Sequence, residues 1–472
     1  MAKGRKSRIW SFFNDLEGDK VVWMIVLLLI LISAVSIFSS TSMMTSEGTS
    51  RLDIVRGQLE VIVLGLVFIV GCYCIKDIKI YRTLAKFGFV LSAALLLVVD
   101  LHIQLSSSFG AGQINGAWRV IKIGGFQLHV YEVVKVAMVM YLAWAVDTFN
   151  RKGFKLFIKL SEIEHLHWLK EPLVQKIIYI YLPILIVMVG ILPGSGSSCL
   201  FIGIVMFVTI IVGGLKMREL ILPALICIAL FGGTILLNKA TGGKFMGSVV
   251  QRVDTWGSRL EGWKGHVEKF KEAKYKSPDY FDELDKIRQP YSARIAIHEG
   301  GLIGKGPGQS TQRYVVPVMY EDYMFSFILE EYGLLGGIFV IILYLSLLAR
   351  GSIIVRNCKD NFGKIVVAGL VIMISGQAFM HMFINAGIGP LTGQTLPLIS
   401  HGKTSFLVFC IAFGVILSIS KMAGKQMEKE RKALEESEPI VLDKHEEIQA
   451  SMNDLDMFES LGVKSEEKEM DI

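Results

Sequence analysis

The segment Val21-Val22-Trp23-Met24-Ile25-Val26-Leu27-Leu28-Leu29-Ile30-Leu31-Ile32-Ser33-Ala34-Val35-Ser36-Ile37-Phe38 decides the fold class. It carries no charge, and its only polar side chains are two serines. A core helix of a soluble domain would show a polar face every third or fourth residue; this one shows none. Roughly 20 mostly apolar residues cross a bilayer. Lys3, Arg5, Lys6 and Arg8 precede it, as basic residues precede the apolar stretch of a signal peptide. A signal peptide ends in a small-residue cleavage site and leads into a soluble chain. More apolar runs follow here, so 21–38 reads as a retained anchor.

Working outward, nine further runs have approximate cores at 59–75, 85–103, 130–148, 174–192, 197–214, 219–237, 323–348, 364–388 and 404–420. We therefore expect an all-α polytopic membrane protein with about ten transmembrane helices. Composition agrees. Of 472 residues 52% are hydrophobic and 19% charged, against about 25% charged in a soluble chain. A soluble enzyme of two or three domains is excluded. Forty-six glycines with 11 prolines exclude collagen-like or low-complexity chains. Of the six cysteines, Cys72, Cys74, Cys199, Cys227 and Cys410 lie in apolar runs and Cys358 in a loop. Their spacing suits neither zinc nor a disulfide scaffold, so free thiols are expected.

The 49 Lys+Arg and 43 Asp+Glu are segregated. Basic residues crowd the N-terminus, the loops after the second, fourth, sixth and eighth runs, and the start of the tail. Examples are Arg82, Arg151, Arg218, Arg350, Lys359 and Lys421. With ten spans these all fall on one side, which the positive-inside rule makes cytoplasmic. Both termini then face inward: 1–20 is a cytoplasmic segment, 21–420 the membrane domain and 421–472 a cytoplasmic tail. That tail mixes both charges without a sustained apolar run, and is expected to be disordered or transiently helical. A large extracytoplasmic loop, 238–320, joins spans seven and eight. Its charged middle carries Trp256, Trp263, Tyr275 and Tyr280. It reads equally as a helix on the membrane surface or as a solvated connection. The +6 net charge is a topology signal, so no nucleic-acid partner is implied.

Ionisable groups in a span are costly, and each is a functional candidate. Glu132 and Lys135 share one face of span four near its outer end. They either neutralise each other or face a ligand. Asp322 opens span eight, as a helix cap or as a functional carboxylate. Gln377, His381 and Asn385 form a stripe on span nine, either a hydrogen-bonded packing face or a cavity wall. Arg56, Arg119, Lys122 and Lys403 lie near outer span ends, as phosphate ligands or ordinary anchors. Together these groups gather at one depth. One cavity open to the outer leaflet explains them, and it suits an anionic amphiphile. The run Gly300-Gly301-Leu302-Ile303-Gly304-Lys305-Gly306-Pro307-Gly308 is not a phosphate loop: Glu299 and Gly306 stand where that pattern needs Gly and Ser or Thr.

The stretch Ala296–Ser310, reading AIHEGGLIGKGPGQS, resembles the hallmark loop of the FtsW/RodA/SpoVE, or SEDS, family. Pro317, Asp322, Phe325, Glu330-Glu331, Gly333, Gln377-Ala378, Pro390, Thr392-Gly393 and Leu396-Pro397-Leu398-Ile399-Ser400 follow in the family's order. Trp118-Arg119, Glu132, Lys135, Arg252 and Trp256 match upstream. The resemblance covers roughly 20–420. Departures are Val130-Tyr131 for the family's Pro-Ser, and Pro193-Gly194-Ser195-Gly196-Ser197 for its Pro-Asp-Leu-Gly-Thr. Ser400-His401-Gly402-Lys403-Thr404 replaces Ser-Tyr-Gly-Gly-Ser, and His381 replaces a frequent asparagine.

The resemblance implies a peptidoglycan glycosyltransferase. It would polymerise lipid II, a disaccharide-peptide on undecaprenyl pyrophosphate, at the outer face of the bacterial cytoplasmic membrane. The tail and the GKGPGQS loop resemble the division branch, FtsW, more than the elongation branch, RodA, which implies a septal location. Asp322 is then the expected general base. Arg56, Arg119 and Lys135 would face the pyrophosphate, with Glu132 orienting Lys135. Lys305, Gln309, Glu331, His381 and Ser400 complete the expected substrate contacts. A divalent cation, Mg²⁺ or Mn²⁺, is the cofactor such chemistry would use, and no dedicated metal ligands are nominated. Expected partners are a single-span class B penicillin-binding transpeptidase and other division-complex proteins. Two other classes stay open: a lipid II flippase, which would more often show paired repeats and matched broken helices, and a non-catalytic scaffold recruiting a transpeptidase.

Overall fold

The computed structural model describes residues 17–40, 51–219, 221, 233, 265 and 268–460, apart from 107, 115–116, 152, 155–156, 159–160, 164, 166, 276, 317–318 and 390–391. All of span 219–237 except 219, 221 and 233, the loop middle with Arg252, Trp256 and Trp263, the basic N-terminal cluster, Pro317 and Pro390 thus lie outside the described residues.

The described helices are α1 (Lys20–Ser40), α2 (Arg51–Tyr73), α3 (Ile78–Asp100), α4 (Val130–Arg151), α5 (Pro172–Ile191), α6 (Gly196–Val212), α7 (Pro278–Gly300), α8 (Met324–Asn357), α9 (Asn361–Asn385) and α10 (Lys403–Ser460). Among them, seven are long and apolar enough to cross a membrane: α1, α2, α3, α5, α8, α9 and α10. α4 and the shorter α6 fall on two further expected spans. The mostly helical membrane class is therefore what the chain adopts.

Local chemistry sets the helix starts. Asp19 accepts from Val21 and Val22 N–H, Asp77 from Lys79 N–H and Asp360 from Gly363 N–H, each filling donors that a first turn leaves open. Two of those caps, Asp19 and Asp360, also pair with cations at the basic end. Asp147 and Asp360 take Arg82 and Arg151, and Asp19 takes Arg350. Glu17 takes Lys421 and Lys425. The basic loops nominated in the sequence are thereby stapled together.

α9 and α10 form the centre, with 72% and 78% of their apolar windows buried, against 22% for α3 at the periphery. Small residues let α10 approach α2: a Cβ on Gly65 would meet Cys410 Sγ and Phe406, and one on Gly414 would meet Ile69 backbone.

One element was not foreseen. Between α3 and α4 the chain forms a four-stranded antiparallel meander: β1 (Gln104–Ser106), β2 (Phe109–Ile114), β3 (Ala117–Ile123) and β4 (Phe126–His129). Ile123 pairs with Phe126 across Gly124-Gly125, a two-residue hairpin whose Gly124 has φ +61°. The chain is thus not wholly helical, and the sheet carries Arg119 to the Asp322 end. α10 continues as helix to Ser460, through the stretch expected to be disordered or transiently helical. Its exposed turns carry i,i+4 pairs, Glu428–Lys432 and Arg431–Glu435, which support helix without packing. Cys72, Cys74, Cys199, Cys358 and Cys410 are free thiols.

Candidate functional site

Asp322 ends a turn that leads into α8. Three successive carbonyls of that turn are held from the α9–α10 region. His401 N–H donates to Tyr320 O (2.9 Å), Ser400 Oγ to Glu321 O (2.8 Å) and Asn385 Nδ2 to Asp322 O (3.0 Å). The backbone is fixed and the two carboxylates are left half-buried. Asn385 Oδ1 accepts from Ser326 N–H and Oγ, and so caps the first turn of α8. His381 Nε2 accepts from Phe325 N–H at 3.4 Å, so its Nδ1 carries the proton and donates to Gln394 O at 2.7 Å. The Gln377/His381/Asn385 stripe is therefore a set of clamps behind Asp322.

The segment 392–400 is the other wall. A Cβ on Gly393, at φ +64°, would stand 3.9 Å from Asp322 Oδ2, so this backbone passes directly beside the carboxylate. Gln377 Nε2 donates to Thr395 O (2.9 Å), Tyr344 Oη to Pro397 O and Ser33 Oγ to Ile399 O. These anchors hold buried Leu398 at φ +60°, a conformation that costs about 1–3 kcal/mol.

Glu132 and Lys135 stand next to this wall. Lys135 is 2% exposed in its side chain. Its ammonium donates to Glu132 Oε1 (2.7 Å), Gln377 Oε1 (2.7 Å) and Gln394 Oε1 (3.2 Å), which uses all three N–H groups. Ser405 Oγ donates to Glu132 Oε2 (3.2 Å). Gln394 also donates to Ser198 Oγ on α6. One buried cation thus joins α4, α6, α9 and the 392–400 segment. Arg119, on β3, exerts its charge on Glu321 and on His129. Burial, reinforced by Asp322 and opposed by Arg119, pushes the Glu321 carboxyl up to about 7.

A second cluster holds Lys305, Gln309 and Glu331. α8 is interrupted at Gly333, φ +66° and ψ −169°. A glycine in an apolar run is compatible with an unbroken span, so nothing local in the sequence marks this break. Glu330 and Glu331, neither exposed in its side chain, lie just before the break. Glu330 accepts from Lys305 Nζ (2.8 Å), from Thr311 N–H (2.8 Å) and Oγ1, and from Ser310 Oγ. Glu331 accepts from Ser39 Oγ and Gly308 N–H (3.0 Å), with Arg313 at 3.9 Å. Gln309 is exposed on the loop. Arg56 is exposed on α2 and pairs with Glu60 (3.2 Å).

The structure thus gathers Asp322, His381 and Ser400 into one site. Glu132 and Lys135 join it through Gln377 and Gln394, and Arg119 through its field at Glu321. Lys305, Gln309 and Glu331 belong to the loop against α8. Glu321, Gln394 and Ser405 were not nominated, and Asn385 entered only as a member of the span-nine stripe. The Glu321-Asp322 pair was a visible signal, whereas Gln394 and Ser405 carry none, because their meaning comes from Lys135 and Glu132.

The comparisons agree with this architecture. Among curated relatives, Stage V sporulation protein E of Bacillus subtilis is 26% identical over 409 residues, covering 85% of this chain and 97% of its own. A probable peptidoglycan glycosyltransferase FtsW of the same organism is 30% identical, covering 75% and 78%. Peptidoglycan glycosyltransferase MrdB of Escherichia coli is 25% identical, covering 88% and 98%. Among solved structures, one described as structural coordination of polymerization and crosslinking by a peptidoglycan synthase complex matches with TM-score 0.56 and 20% identity, over 85% of this chain and 97% of that one. The rod shape determining protein RodA of Thermus thermophilus matches with TM-score 0.51 and 19% identity, over 86% and 98%. These two show the fold. The family described as "Cell cycle protein" matches residues 19–425, nearly the whole membrane domain. The chain belongs to the FtsW/RodA/SpoVE family.

Proposed function

We propose that the protein is a peptidoglycan glycosyltransferase that polymerises lipid II at the outer face of the bacterial cytoplasmic membrane. The observation that carries the reading is the Asp322 site: a carboxylate at the start of a spanning helix, on a backbone clamped at three carbonyls, with Arg119 and the Lys135 network alongside. Asp322 acts as general base on the 4-hydroxyl of the acceptor sugar, a contribution of roughly 10²–10⁴-fold in rate. The C–O bond to the donor's anomeric carbon breaks as the new glycosidic bond forms, and the pyrophosphate departs as an anion. Fixed cations stabilise that charge, and Arg119 is best placed for it. Lys135, with its donors engaged by Glu132, Gln377 and Gln394, acts by holding the wall at Gly393.

Among the described residues no three His, Cys, Asp or Glu gather to hold a metal ion. A divalent cation, Mg²⁺ or Mn²⁺, would be held by one or two carboxylates and by substrate phosphate oxygens, and would share the neutralisation of the leaving group. The resemblance of the tail and the GKGPGQS loop to FtsW supports the septal branch. A class B transpeptidase is the proposed partner, and the synthase-complex likeness supports it.

The test uses purified full-length protein with labelled lipid II, alone and with the transpeptidase. Wild type should give polymer, and Asp322→Asn should give none at unchanged expression and unfolding temperature. Leaflet transfer without polymer would make the chain a flippase, and neither activity would make it a scaffold. Wild-type amounts of polymer from Asp322→Asn would remove Asp322 from the mechanism.

A further inference from the structure

The clamp between the glycine loop and the break in α8 is not used by the chemistry above. Where α8 is interrupted, its lost backbone hydrogen bonds are replaced by the loop. Lys305 and Gly306 N–H donate to Glu330 and Glu331 O (both 2.9 Å), and Leu334 and Leu335 N–H donate to Gly301 O (2.9 Å) and Leu302 O (3.2 Å). The loop is spliced into the helix, which satisfies polar backbone that lipid cannot. The approach is backbone to backbone: a Cβ on Gly300 would lie 1.9 Å from Leu329 O. The short segment 324–332 is thereby set off from the rest of α8. It follows Asp322 at one end and carries Glu330 and Glu331 at the other. Beyond the splice, Lys305, Ser310 and Thr311 converge on the fully buried Glu330 carboxylate. Thr311 precedes Asp322 by eleven residues in the sequence.

We infer that Glu330 and Lys305 are positioning residues for the polymerisation step. Together they fix the short helix and the strand of chain leading into it, and so set where the Asp322 carboxylate stands. Neutralising a buried carboxylate needs one cation, yet this one also gathers a hydroxyl and an N–H from Thr311 and the Ser310 hydroxyl, all from the segment delivering Asp322. A displacement of about 1 Å at a reacting group costs on the order of 10²-fold in rate. The inference rests on the polymerase reading.

The experiment compares full-length wild type, Glu330→Gln, Lys305→Met and Lys305→Arg. Lipid II polymerisation is resolved into kcat and KM, and amide hydrogen exchange is followed over 319–325. Expected are a fall in kcat of about 10–100-fold and a KM within about twofold for Glu330→Gln and Lys305→Met. Exchange over 319–325 should be faster in both, and Lys305→Arg should restore most of the lost kcat. A raised KM at constant kcat would mean direct substrate contact and would overturn the inference, as would unchanged kcat. Unchanged exchange over 319–325 overturns it whatever the activity. Exchange needs no turnover, so an inactive wild type sinks the polymerase reading and leaves the positioning test standing. If Glu330→Gln does not fold, Lys305→Met, at a side chain 23% exposed, decides by the same criteria.

Discussion

Asp322 shows how a single residue acquires a setting. Its own carbonyl and the two before it are held by Asn385, Ser400 and His401, all from beyond residue 380. Its neighbour Glu321 bears the cost of the site. Its carboxyl rises from 4.5 to about 7, chiefly through burial. The folded state then binds more protons than the unfolded state between those values, so stability falls as pH rises through that window and is flat above it. Glu321→Gln should remove that fall. Unfolding temperatures at pH 5 and pH 8 should drop further in wild type than in the variant, and equal drops would refute the assignment. Lys135→Met should be among the most damaging substitutions. It leaves Glu132, 14% exposed, without its cation, and Gln377 and Gln394 without their donor. Removing one partner of a buried pair costs about 3–5 kcal/mol, readable as a lowered thermal midpoint in detergent.

At the scale of elements, the interrupted α8 matters most. Gly333 combines positive φ with contact, since a Cβ would lie 2.4 Å from Gly304 N and from Leu302 O. Gly333→Ala should therefore lower stability by more than about 2 kcal/mol and reduce the yield of monodisperse protein. Gly71, in α2, meets no atom within 4 Å. Gly71→Ala should be neutral or stabilising by up to about 1 kcal/mol, as in an ordinary helix interior. Similar behaviour of the two variants would show that the break is not required. The sheet between α3 and α4 is an element of another kind. Its Gly124-Gly125 turn, preceded by the Val/Ile-rich end of β3, Val120–Ile123, is a legible hairpin signal. It falls between the runs 85–103 and 130–148, in a stretch that run length alone reads as a connecting loop.

The whole molecule divides into two ends with different tasks. The basic end is a mesh of ion pairs, in which Asp147, with no exposed surface, ties Arg82 to Arg151 and Asp360 carries the tie to α9. The Asp322 end is held by neutral hydrogen bonds, by the buried Lys135 network and by the Lys305–Glu330 pair, and keeps the Glu321 and Asp322 carboxylates half-open. Of the tail, Lys421 and Lys425 belong to the basic end through Glu17. The family match stops at residue 425, and the packing of α10 on α2 lies before it. Truncation after Glu435 should leave in vitro polymerisation within about twofold of full length, since exposed terminal segments tolerate removal. A larger loss would give the tail a part in the reaction.

The sequence alone was sufficient for the membrane class, nearly all the span positions and the family. Apolar run length and loop charge are local properties, and a bilayer responds to them directly. It also singled out Asp322, Glu132 and Lys135, because charge in a span is costly enough to stand out. Only the tertiary structure decided what those charges face. Lys135 meets Gln377 and Gln394 across more than two hundred residues, and Glu330 meets a loop that reaches it only because α8 breaks. Such pairings depend on how helices pack and where a backbone bends, and polar residues like Gln394 and Ser405 give no local sign of the partner that makes them matter.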